Sequence, residues 1–95
     1  MKIKINGEEL EFRFRTKQLG QLIKATGKDL DKLQEIVTDL NNASLLASLG
    51  TGKTIEEIEE MMDQDGTFEC VQSIIQGFND EVIQYYSPNS QSQTN

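Results

Sequence analysis

The sequence predicts an α+β domain, with an N-terminal antiparallel β-hairpin followed by four or five helices packed on one sheet face. Two observations carry this. Apolar residues alternate at period two over residues 1–14 and then recur at helical spacing from Leu19 onward. The 95 residues also amount to one domain's worth of chain. At that length roughly 60–65% of the unfolded surface can be buried, enough for one small core.

The hairpin comes first. Met1, Ile3 and Ile5 alternate with Lys2 and Lys4, and Leu10, Phe12 and Phe14 alternate with Glu9, Glu11, Arg13 and Arg15, on either side of Asn6-Gly7. Asn-Gly tolerates the positive φ angles of a type I′ turn. A two-residue loop there sets Ile3 opposite Leu10, Met1 opposite Phe12, Lys4 opposite Glu9 and Lys2 opposite Glu11. One face is then apolar and the other carries paired opposite charges. A four-residue loop would pair Ile5 with Leu10 and keep the same faces.

Thr16 is the expected N-cap of a short helix carrying Leu19, Leu22 and Ile23, with Gly27 at its C-terminus and Gly20 weakening it. Asp29 caps a second helix, in which Leu30, Leu33, Ile36, Val37 and Leu40 recur at helical spacing until Asn41-Asn42 interrupts. Ala43 to Leu49 can form two helical turns. Thr54-Ile-Glu-Glu57 is a capping-box pattern, and Ile55, Ile58, Met61 and Met62 follow as an apolar stripe that Asp65-Gly66 ends. Glu56, Glu57, Glu59 and Glu60 crowd the first turns, where the helix dipole favours negative charge. Phe68, Val71, Ile74, Ile75, Phe78, Val82 and Tyr85 trace a broad stripe on the longest helix, from near Thr67 to Tyr86. From Ser87 the chain has no large apolar residue. The expected organisation is a single domain over 1–86 and a disordered polar tail over 87–95.

Charge is unevenly placed. The net charge is −7, yet residues 1–32 hold eight of the nine basic side chains and five of the sixteen acids, a net +3 that leaves −10 on residues 33–95. An acidic surface repels a phosphate backbone, which argues against sequence-independent nucleic-acid binding and leaves room for a basic protein partner. The lone Cys70 has no disulfide partner, and the absence of any His leaves it without a soft-metal site or a general base. A reducing compartment is expected. Met1-Lys-Ile-Lys-Ile alternates where a signal peptide would be continuously apolar, and no segment approaches the ~20 apolar residues that cross a bilayer. The expectation is a soluble, cytoplasmic protein without a membrane or nucleic-acid partner.

Several motifs invite chemistry. "ASLGTGKT", Ala47 to Thr54, fits a relaxed phosphate-binding loop. Such a loop works between a buried strand and a helix, with free amides at the helix N-terminus. Here the preceding "NNASLLASL" reads as helix, Thr54 has a structural role as a cap, four glutamates follow, and no second strand ends in a magnesium-binding Asp. A loop between two helices is the expected reading. The glutamates project in different directions as a solvated helix face rather than a metal or acid–base pair. Cys70 lies beside the core stripe and is expected to pack. No catalytic, cofactor-binding or metal-binding residue is predicted, and no enzyme. Ile58, Met61, Met62, Phe78, Tyr85 and Tyr86 are the candidate partner-binding residues, because methionine and aromatic side chains suit adaptable surfaces.

Taken in order, "MKIKINGEELEFRF", the mid-chain helices, "TIEEIEEMMDQDGTFECVQSIIQGFNDEV" and the polar end resemble the small tail assembly chaperones of long-tailed phages and prophages of Gram-positive bacteria, over about residues 1–86. The resemblance implies a protein made in the host bacterial cytoplasm and absent from the mature virion. It would coat the long helical tape measure protein, keep it soluble and help tail-tube subunits polymerise around it. It would bind in many copies, so a homo-oligomer is expected, associating through the hairpin edge or the Met-rich helix. No contact residue carries over from the family. The competing expectation is a small acidic regulator, a DNA mimic that occupies a basic site on its target.

Overall fold

The structure, a computed structural model, describes residues 1–66 and 68–83, with only the backbone of Ile83. Tyr85, Tyr86, the tail from Ser87 and Thr67 lie outside the described residues. Strands β1 (Lys2–Ile5) and β2 (Glu8–Glu11) precede helices α1 (Thr16–Thr26), α2 (Leu33–Thr38), α3 (Ala43–Thr51), α4 (Ile55–Asp65) and α5 (Glu69–Phe78). This is the predicted α+β order.

The hairpin takes the two-residue loop. Asn6 and Gly7 have φ of 55° and 78°, the left-handed pair that a type I′ turn needs. The register is Lys2↔Glu11, Ile3↔Leu10, Lys4↔Glu9 and Ile5↔Glu8, and the Phe12 amide donates to Met1 O at 2.8 Å to extend it. The four-residue alternative is not adopted. Ile3, Ile5, Leu10, Phe12 and Phe14 are buried on one face, and the charged residues between them are exposed on the other.

The apolar face rests on α3 and α5. α5 runs beneath β1, so close that a Cβ on Gly77 would come within 2.6 Å of Ile3 Cγ2. α3 reaches β2, where a Cβ on Gly50 would overlap the Phe12 ring and Gly50 O accepts from the Arg13 amide at 2.8 Å. α1 and α4 both pack on α3. Phe14 stacks on Phe12 at 5.8 Å and meets Phe78 edge-on at 4.9 Å, an arrangement that favours aromatic pairs beyond their buried area.

Four sequence expectations need correcting. Thr16 is the first residue of α1 rather than its cap; Arg15 is the N-cap, and its amide donates to Gln18 Oε1 at 2.9 Å. The second helix is broken. A 3₁₀ turn spans Leu30–Lys32, α2 has six residues, and another 3₁₀ turn spans Leu40–Asn42. Asp39 causes the second break, since its carboxylate accepts from the Asn41 amide at 3.0 Å and its extended backbone (ψ 114°) stops α2. A short acid thus wins its local turn against helix continuation. Only Ile36 and Val37 are buried, and Leu30 and Leu40, on the flanking turns, are 54% and 56% exposed. Finally, Phe68 sits at the N-cap of α5, off the buried stripe, and is 70% exposed. The predicted long helix becomes α5 plus a π turn over Asn79–Ile83, with Val82 still buried on the stripe.

Candidate functional site

The phosphate-loop lookalike folds as a connection between α3 and α4. The loop amides of Gly52, Lys53 and Thr54 are already used. Gly52 N donates to Ser48 O at 2.9 Å, Lys53 N to Thr51 Oγ1 at 3.2 Å and Thr54 N to Glu57 Oε1 at 2.9 Å. Glu57 N donates to Thr54 Oγ1 at 3.1 Å, completing the predicted capping box. Gly52, at φ 86°, ends α3 in a left-handed turn. A helix precedes the loop where a phosphate site would need a strand.

The amide of Thr54, above all, holds the Glu57 carboxyl below the usual carboxylate range, helped by the neighbouring Lys53 charge. Cys70 is buried. Burial, with the nearby Asp65 charge, pushes its thiol up from the ordinary value, the opposite of what a nucleophilic thiolate needs. It borders a hollow of about 470 Å³ with Lys4, Gly7, Asp65, Glu69 and Ser73, between the hairpin tip and the start of α5.

The larger feature lies along α4. An open groove of about 650 Å³ is lined by Asn41, Ser44, Glu59, Glu60, Met62 and Asp63. A second concavity of about 210 Å³ is lined by Met62, Asp63, Gly66 and Phe68. The two share Met62 and Asp63, so they meet over the last turns of α4. Leu40 immediately precedes Asn41 at one end, and the strongly exposed Phe68 stands at the other. The groove therefore has an apolar line through Met62 to Phe68 and a wall of Glu59, Glu60 and Asp63. Among the described residues no Lys or Arg lines either part. Ser44 Oγ donates to Glu59 Oε2 at 3.3 Å, tying the wall to α3.

The predicted partner-binding residues separate into three groups. Ile58 and Phe78 are fully buried; they build the core and offer no surface, a correction that follows from the packing of α4 on α3 and of Phe78 on Phe14. Met61 and Met62 are half-buried against the core, and only Met62 is among the residues lining the groove. Tyr85 and Tyr86 lie outside the described residues. Phe68 and Leu40 were missed because both fit helical stripes on paper. The signal that places them outside was present: Asp65-Gly66 ends α4 just before Phe68, and Asn41-Asn42 follows Leu40. Glu59, Glu60 and Asp63 converge on one wall because residues three and four apart share a helix face, whereas Glu57 turns back to cap. Among the described residues no helix is long and apolar enough to cross a membrane. Comparison of the chain with protein-family models, with curated proteins and with solved structures returned no match.

Proposed function

We propose that this protein is a tail assembly chaperone of the kind found in long-tailed phages and prophages of Gram-positive bacteria. It holds the long helical tape measure protein in the groove along α4, keeps it from aggregating, and assists tail-tube polymerisation in the host cytoplasm. The observation that supports this is the groove itself: an apolar line from Met62 to Phe68 beside an acidic wall without a cation. An amphipathic helix lays its apolar face into such a groove. Lys or Arg beside that face then meets Glu59, Glu60 and Asp63, which speeds encounter and fixes orientation. The sequence resemblance supplies the biological setting, and the net −7 charge discourages the chaperone from precipitating with its client.

Co-expression with the tape measure protein encoded beside this gene tests the proposal. The client is expected to be insoluble alone and to co-purify with the chaperone. The Met62→Ser/Phe68→Ser double variant should lose the complex, and Phe68→Ser alone, at a strongly exposed side chain, should weaken it while keeping the melting temperature to within a few degrees. A client that ignores the wild-type protein sinks the function. A complex untouched by the double variant relocates the site.

The acidic wall also favours a second reading, an inhibitor that occupies a basic site on another protein. That reading predicts the reverse pattern: Glu59→Gln/Glu60→Gln/Asp63→Asn abolishes binding to the target, and Phe68→Ser does not.

A further inference from the structure

The hairpin carries a second surface that shares no residue with the groove. In the observed register the Phe12 amide bonds to Met1 O, so by the alternation of antiparallel ladders Leu10 and Glu8 also bond across to β1. The backbone groups of Glu9 and Glu11 therefore point away from the hairpin. The opposite edge is occupied where the Lys4 amide donates to Ser73 Oγ at 2.9 Å. The β2 edge is closed further along, where the Arg13 amide donates to Gly50 O at 2.8 Å. Along β2 before the Arg13 contact, the N–H and C=O of Glu9 and Glu11 have no hydrogen-bond partner among the described residues.

We propose that this edge accepts a basic strand of a partner protein, which adds to the sheet as a third strand antiparallel to β2. Main-chain bonds to Glu9 and Glu11 supply the affinity, and side chains supply the choice of partner. Residues of the incoming strand that face Glu9 and Glu11 share their solvent face. Lys or Arg at those two alternate positions extends the rows Lys4–Glu9 and Lys2–Glu11 into alternating charge. The residue between them lies on the inner face beside the buried Leu10, where an apolar side chain packs on its neighbour.

The same geometry disfavours a second copy. Two β2 edges aligned antiparallel about Leu10 set Glu9 against Glu11 twice, and like charges directly opposite are destabilising. Alignments shifted to bring in Arg13 require its amide, which Gly50 O already holds. Charges on an edge strand commonly serve to block pairing. Here they discriminate, rejecting an acidic strand and admitting a basic one.

Amide hydrogen exchange on the whole protein, with and without short peptides, tests this. The probe is a capped six-residue peptide alternating Lys and Val; the controls are its Glu/Val counterpart and a Lys/Val peptide N-methylated on the amides that would face β2. At low salt the Lys/Val peptide is expected to slow exchange at Glu9 and Glu11 by about tenfold or more, and neither control should do so. In the Glu9→Gln/Glu11→Gln variant, which leaves the buried face untouched, the protection should fall to a small fraction. Absence of protection at Glu9 and Glu11 with the Lys/Val peptide overturns the proposal and leaves an edge that is merely blocked. Equal protection by the acidic or N-methylated peptide, or full protection in the Gln variant, overturns the charge or backbone basis of recognition.

Discussion

Gly20, Gly50 and Gly77 all lie in helices, none with positive φ, yet their surroundings set opposite signs for an alanine substitution. A Cβ on Gly20 meets nothing within 4 Å, so Gly20→Ala adds helix propensity without a clash and should stabilise by about 0.5–1 kcal/mol. A Cβ on Gly50 would run into the ring of Phe12, a fully buried side chain. Overpacking of this kind costs about 1–3 kcal/mol. Urea midpoints of the two variants should therefore move in opposite directions. The weakening effect of Gly20 was legible in the sequence, whereas the need for glycine at position 50 arises from a ring 38 positions earlier in the chain and was not.

At the scale of the element, α4 and α2 show when a local signal decides structure. The Thr54–Glu57 box was readable because both partners sit within one turn, and it forms in both directions. Thr54→Ala should cost about 1 kcal/mol in thermal or urea unfolding. The box also carries a pH dependence. Glu57 has a carboxyl pKa lowered in the fold by the Thr54 amide, so its stabilisation is present above the unfolded-state pKa and is lost as pH falls through the folded one. Glu57→Gln should flatten that acid limb of the stability curve, and an unchanged limb would show that other carboxylates carry it. α2 is the counterexample. The five apolar positions from Leu30 to Leu40 fit one helix, but Asp39 bonds the Asn41 amide and the chain turns twice around a short helix. Periodicity reports which residues are apolar, not whether a polar neighbour offers the backbone a better local partner.

The whole molecule is electrically lopsided, with +3 over residues 1–32 and −10 over the rest. Much of the basic excess is used internally: Lys28 and Lys32 reach Glu35 at 3.5 and 3.8 Å, and Arg15 reaches Glu81 at 3.9 Å. Among the described residues the groove wall has no such cation. If the groove takes a basic helix, raising ionic strength from about 0.05 M to about 0.5 M should weaken the complex mainly by slowing association, because exposed charges are screened beyond the Debye length. Stopped-flow association rates that do not change with salt would leave the acidic wall without a role in recognition. Truncating Ile58 should behave differently from truncating Phe68. Ile58→Ala opens a core cavity and should cost about 2–5 kcal/mol, whereas Phe68→Ser should leave stability nearly intact and remove only binding.

The sequence by itself determined the hairpin and its two faces, the order of helices, the α3–α4 connection and the C-terminal ends of α1 and α4. Each of these depends on residues a few positions apart: Asn6-Gly7 and the alternation around it, the capping box, and glycines at helix ends. Tertiary structure decided which residues within a single apolar stripe face the core. Ile58 and Met62 belong to the same stripe, yet one faces α3 and the other lines the groove. Phe68 and Phe78 are both aromatic residues of the last predicted helix, yet only Phe78 has the hairpin to pack against. Burial depends on what stands opposite, and the hairpin, α3 and α5 meet only once the chain has folded.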